Sequence, residues 1–288
     1  MHTLSDLDLP GGVRTTLQGC PGGGPGDPVL LLLPAMGVAA GYYGPFVAGL
    51  ADEGVAATVL DYPGQGTSEP RVGRDHDYGY ADLADAWLDA ALDCLGELFP
   101  RRPVVLLGHS LGGQVVLARL AHDRRDVAGV VLLGSGSPYW RAQPAALTLL
   151  GQTQLMGLVT RLLGHWPGHR LGFGGRQPRR LVAEWSRFAR TGRLAPAARP
   201  VEDRLADVDL PVLAVDLDGD RLAPPSSVDH LLGKLPSARV ERWHFRKQPG
   251  DPGRPVDHYS FARSPEIIAA RVAGWSRDHA GSHDPRRP

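Results

Sequence analysis

The chain has 288 residues, 42% of them apolar, and its 31 basic and 31 acidic side chains cancel to a formal net charge of zero, with a pI near 7.2. That length suits one large α/β domain, or one carrying an insertion, and the charge balance gives no overall pull toward nucleic acid or an anionic membrane. Cys20 and Cys94 are the only cysteines, too few for a disulfide framework or a cysteine-rich metal site, so a reducing, cytoplasmic compartment is expected. The opening MHTLSDLDLPGG lacks a basic start followed by an apolar run, and the longest apolar stretches are far shorter than a bilayer span. Neither a signal peptide nor a membrane segment is expected.

Short β-type runs alternate with helical stretches along the chain. After an N-terminal strand and a Gly/Pro-rich turn at 21–28, residues 29–33 (VLLLL) have the pattern of a buried strand. A helix is predicted at 41–53, a strand at 56–60, and a helix at 80–99 with Leu83, Trp87, Ala91 and Leu95 at helical spacing. A buried strand at 104–107 runs into a helix from Ser110 to about His122. Strands follow at 127–133, 212–217 and 239–245, and a closing helix at 265–277. This alternation implies an α/β fold: a mostly parallel central sheet with helices on both faces. The interval 138–209 breaks the rhythm, being too long for a plain loop. Its apolar stretches at 147–163 and 181–189 predict a helical cap inserted above the sheet. Residues 1–137 and 210–280 then form the core, and the polar tail 281–288 is expected to be disordered.

Gly108-His109-Ser110-Leu111-Gly112 fits G-x-S-x-G. The bare pattern is short enough to arise by chance. Here it follows the strand-like VVLL and opens a helix, the context needed for a serine held on a sharp turn. Glycines two residues either side relieve crowding there, and the following helix turns its first amides toward a developing anion. An ordinary glycine-rich turn is the competing reading. A phosphate loop is disfavoured, since neither G-x-G-x-x-G nor G-x-x-x-x-G-K is present.

With this motif the sequence resembles the α/β-hydrolase superfamily over nearly its whole length. Asp61-Tyr-Pro-Gly-Gln-Gly-Thr-Ser68 is similar to the D-x-x-G-x-G-x-S turn of that family, Asp220-Arg-Leu-Ala-Pro224 to its acid-bearing D-x-x-x-P segment, and Asp257-His258-Tyr-Ser-Phe261 to the site of its histidine. Pro34–Gly37 (PAMG) and Tyr139-Trp140 resemble a bacterial group near the serine aminopeptidase-like hydrolases. The resemblance implies a Ser110–Asp220–His258 triad, in the chain order serine, acid, histidine. Asp216 and Asp218 compete with Asp220 in the run DLDGD, although Asp220 best fits the spacing to Pro224. His244 rivals His258, but it lies in or beside a predicted strand, with its side chain expected to face a helix layer. His109 is implied to shape the elbow without titrating. His165 and His169 are an unpromising metal pair because Pro167 and Gly168 separate them.

The resemblance also implies an oxyanion hole built from the backbone amides of Leu111 and Met36. Relatives often have His-Gly where this chain has Pro34-Ala35, which leaves open what braces that loop. The implied activity is hydrolysis of a carboxylic ester, or of a thioester, lactone or amide, in a small-molecule acyl substrate, with no metal or organic cofactor. An acyltransferase with the same triad and a ligand-binding protein on the same scaffold are the alternatives. Arg176, Arg179, Arg180, Arg187, Arg190 and Arg193 make the predicted cap basic. They read as a solvated helix face, or as a guide for an acidic acyl substrate or a phosphopantetheine group. Trp140, Trp166, Phe173 and Trp185 read as cap core, some of them able to face the cleft.

Overall fold

The computed structural model describes residues 1–124, 127–251 and 256–280. The expected disordered tail, 281–288, lies outside the described residues. At the N-terminus stands a hairpin rather than a single strand: β1 (His2–Leu9) pairs antiparallel with β2 (Val13–Cys20). β3 (Val29–Leu33), α1 (Gly44–Asp52) and β4 (Ala56–Val59) follow. The helix predicted over 80–99 is one winding run: Tyr80–Asp82, a π-helical turn over Leu83–Trp87, then α2 (Leu88–Leu98). β5 (Val104–His109) leads through Ser110 into α3 (Leu111–His122), and β6 (Val127–Leu133) completes this half.

The chain then leaves the sheet. α4 (Ala146–Leu163) and α5 (Arg179–Thr191) match the two predicted helical stretches. The Gly/Pro-rich piece between them forms a small antiparallel hairpin, β7 (His165–Pro167) with β8 (Arg176–Pro178), which the residue pattern did not suggest. α4 and α5 are joined through Ser186, whose Oγ donates to the Thr153 carbonyl at 2.8 Å and whose own carbonyl accepts from Gln154 Nε2 at 2.9 Å. Leu181 N bonds to the Tyr78 carbonyl at 2.9 Å, and Glu184 accepts from Tyr80 N at 2.8 Å, tying α5 back to the core. β9 (Pro211–Leu217), α6 (Pro225–Leu232), β10 (Arg239–Phe245) and α7 (Glu266–Ala280) return to the sheet and finish the fold.

Among the described residues eight strands form one sheet in the order β1-β2-β4-β3-β5-β6-β9-β10, parallel from β4 through β10 and antiparallel at β1, β2 and β4. Helices on both faces explain the uninterrupted apolar strands, because alternate side chains enter opposite layers. Val29, Leu31 and Leu33 of β3 pack with Leu106 and Leu132 beneath α2 and α3. Leu30 and Leu32 pack with Val105, Leu107, Val131 and Leu133 beneath α1 and α7, where Trp275 is fully buried. Each such Leu or Val contributes about 1.5–3 kcal/mol by leaving water. Among the described residues no helix is long and apolar enough to cross a membrane.

Candidate functional site

Ser110 stands where β5 meets α3, at φ 54° and ψ −114°. A non-glycine residue at positive φ carries roughly 1–3 kcal/mol of strain, held here by the elements around it. The glycines of the motif are explained by contact. A Cβ on Gly108 would lie 2.4 Å from the Gly113 Cα, and one on Gly112 would lie 2.0 Å from the Leu33 carbonyl oxygen. Both positions must be bare for α3 to approach β3 and β5 this closely.

The three acid candidates separate cleanly. Asp220 lies just beyond the end of β9 and is buried. Its Oδ2 accepts from His258 Nδ1 at 2.7 Å, and its Oδ1 accepts from the amides of Leu222 (2.8 Å) and Ala223 (2.9 Å). Three donors on one carboxylate hold it aimed at the imidazole. Asp216 and Asp218 turn away from this site. Asp216 pairs with Arg242 at 3.0 Å and His244 at 2.5 Å, and Asp218 pairs with Arg246 at 3.3 Å. His244 was expected against a helix layer. It stands instead on the outermost strand with its side chain 41% exposed, because among the described residues β10 has no neighbouring strand beyond it. The Asp220 carboxylate thus holds His258 by its Nδ1.

The loop Pro34-Ala35-Met36 is braced by two buried tyrosines, which nothing in the residue pattern singled out. Tyr62 donates its hydroxyl to the Pro34 carbonyl at 3.0 Å. The Tyr43 oxygen accepts from Ala35 N at 2.9 Å and lies 2.7 Å from His109 Nδ1. Burial pushes the Tyr43 phenol far up, so it remains a hydroxyl. Burial first, and the neighbouring His258 imidazole second, hold His109 well below the usual histidine range, so it is neutral. With Ala35 N–H donating to Tyr43, the tyrosine proton goes to His109 Nδ1. Ala35 N is thus consumed, whereas among the described residues no acceptor meets the amides of Met36 or Leu111. The same loop is clamped from above, for a Cβ on Gly37 would lie 2.3 Å from the Gly174 carbonyl.

A cavity of about 440 Å³ opens over these groups. Ser110, Leu111, Met36 and His258 line it together, opposite a wall of Leu149, Met156, Trp166, Phe173 and Trp185 contributed by residues 138–209. Three of the four aromatic residues read as cap core therefore face the cleft; Trp140 instead stacks against Arg141. Gln114 also reaches the cavity, but both ends of its amide are occupied, by the Tyr80 hydroxyl at 2.5 Å and the Gly136 carbonyl at 2.9 Å. It braces the wall rather than offering a free contact.

Residues 30–271 match the model of the alpha/beta hydrolase family. A thermophilic esterase from Thermogutta terrifontis is similar at 20% identity and a TM-score of 0.63, with 96% of this chain and 98% of that one covered. An esterase from Exiguobacterium antarcticum is similar at 16% identity and a TM-score of 0.60, over 96% and 99%. The monoacylglycerol lipase of Paleococcus ferrophilus is similar at 18% identity and a TM-score of 0.60, over 93% and 99%. At such identities the likeness speaks for the fold, and it does not single out the narrower serine aminopeptidase-like group.

Proposed function

The chain belongs to the α/β-hydrolase family, and on that premise we propose that it is a serine hydrolase cleaving a carboxylic ester, with thioester, lactone and amide as variants of the same acyl chemistry. Ser110 Oγ attacks the acyl carbon while His258 takes its proton. Asp220 holds the imidazole in orientation and stabilises the cation that forms. The oxyanion is received by the amides of Met36 and Leu111, which costs little reorganisation because Tyr43 and Tyr62 already hold the first loop. His258 then protonates the leaving alkoxide, thiolate or amine, and an acyl-Ser110 intermediate remains. Water, activated by the same imidazole, releases the acid and restores the serine. Residues 138–209 serve as the cap, whose aromatic wall receives the apolar part of the substrate.

One observation carries the reading: a strained serine and a carboxylate-anchored histidine line the same cavity. A fluorophosphonate probe tests it, since that reaction needs a base-activated serine. The expected adduct maps to the peptide containing Ser110 and is absent in Ser110→Ala. Undiminished labelling of Ser110→Ala would overturn the assignment.

A further inference from the structure

On the other side of α4 from the cavity, a groove of about 470 Å³ runs between α4 and α5. Among the described residues five arginines line it, Arg161 from α4 and Arg179, Arg180, Arg187 and Arg190 from α5, and no acidic side chain does. The chain as a whole is neutral, so this is a local excess of one sign. Part of it is compensated from outside the groove. Arg179 lies 3.5 Å from Asp77, and Arg180 lies 2.6 Å from Asp82. Arg187 donates to the Ala195 carbonyl and is partly offset by the nearby Glu184 carboxylate. Among the described residues no carboxylate lies within ion-pair distance of Arg161 or Arg190. The polar floor offers little of its own, because Ser186 Oγ and Gln154 Nε2 are spent joining the two helices.

We propose that this groove binds a small molecule through a phosphoryl group, a diphosphate or phosphate monoester. The planar guanidinium presents paired donors that match two oxygens of a phosphate, and a ring of such groups favours a ligand with more than one negative charge. A recess between two helices suits a compact anion better than a flat lipid surface. The facing sides of α4 and α5 supply charge from both walls, so the ligand would bridge the two helices. The opposite side of α4 carries Leu149, Thr153 and Met156 into the cavity, so the groove lies one helix away from Ser110 and shares no lining residue with that cavity.

Titration of the whole protein with inorganic pyrophosphate at low ionic strength, followed by calorimetry, tests the assignment. Saturable binding is expected, weakened at least about tenfold in the double variant Arg161→Gln/Arg190→Gln, in which two charge-assisted contacts are lost, and weakened again when salt is raised. Both side chains are exposed, so the variant should melt with the parent protein, and each single variant should give part of the loss. Absence of binding to the parent protein, or equal affinity in the double variant, would overturn the proposal. So would arginine-dependent sedimentation with phosphatidylglycerol vesicles by a protein that ignores millimolar pyrophosphate. Because the readout is binding alone, it stands apart from the fate of the Ser110 assignment.

Discussion

Two aspartate–histidine pairs spring from the same end of β9, and they differ in almost everything except the hydrogen bond. Asp216 and His244 face each other in register across β9 and β10, 2.5 Å apart, with Arg242 on the same carboxylate. Asp220 and His258 meet at 2.7 Å across 38 residues of sequence. In the first pair the aspartate is still within the strand ladder, so the sheet fixes its direction and the outer strand leaves the histidine in water. In the second the aspartate has passed Gly219 into a turn whose amides bind one of its oxygens, and both side chains are buried. Solvent screens the edge pair, while burial strengthens the coupling of the inner one. The inner imidazole also packs against His109, at 4.8 Å between ring centres, and lines the cavity with Ser110. An Asp–His contact alone therefore does not mark a reacting centre; its position relative to a nucleophile and a cavity does.

Ester turnover should divide the two pairs most sharply. His258→Ala is expected to lower kcat by about 10⁶-fold, the scale seen when the base of such a unit is removed. His244→Ala should leave kcat within about twofold. The opposite pattern would mean that the edge pair does the chemistry. The carboxylates give a smaller contrast: Asp220→Asn should cost about 10⁴-fold in kcat by disturbing the imidazole's tautomer, while Asp216→Asn should show its effect in thermal melting, where Arg242 is left without its buried partner.

Tyr43→Phe extends the comparison to the surroundings of the inner pair. It removes the acceptor for Ala35 N and the donor to His109, and leaving one buried amide unpaired costs about 1–3 kcal/mol. A fall in kcat of about tenfold with KM nearly unchanged is expected, because the loop bearing the Met36 amide would lose its brace. A change in KM alone would argue that the tyrosine shapes the cavity instead. The smallest effect is expected for the stability of His244→Ala. A half-exposed pair is worth no more than about 1 kcal/mol, so a melting point lowered by about 2–4 °C at most should be seen.

Much of the frame was legible because it depends on short-range demands. The strands at 29–33, 127–133 and 239–245 coincide with the observed elements. For the first two, burial on both faces requires an unbroken apolar run. The edge strand β10 was legible for a different reason, its β-branched and aromatic residues, since most of its side chains are exposed. The turn at Ser110 was legible because crossing backbones at 2.0–2.4 Å from a would-be Cβ tolerate only glycine at 108 and 112. The hairpin β7–β8 was not legible, since its strands are three residues each and are held by contacts with distant segments, such as Gln65 Nε2 to the Arg176 carbonyl at 2.5 Å.

The amino-acid sequence by itself determined the α/β-hydrolase fold, the position of the serine turn and the short list of acids and histidines. The frame follows from strands alternating with helices and the serine turn from bare glycines, whereas the hydrolase fold and the acid's spacing to Pro224 come from the resemblance to that family. Tertiary structure decided which aspartate meets which histidine, and that Tyr43 and Tyr62 brace the loop before Met36. It also turned Trp166, Phe173 and Trp185 toward the cavity. Those choices join residues as far apart as Tyr43 and His109, separated by 66 positions. They depend on where strands end and how layers stack, and no local pattern records that.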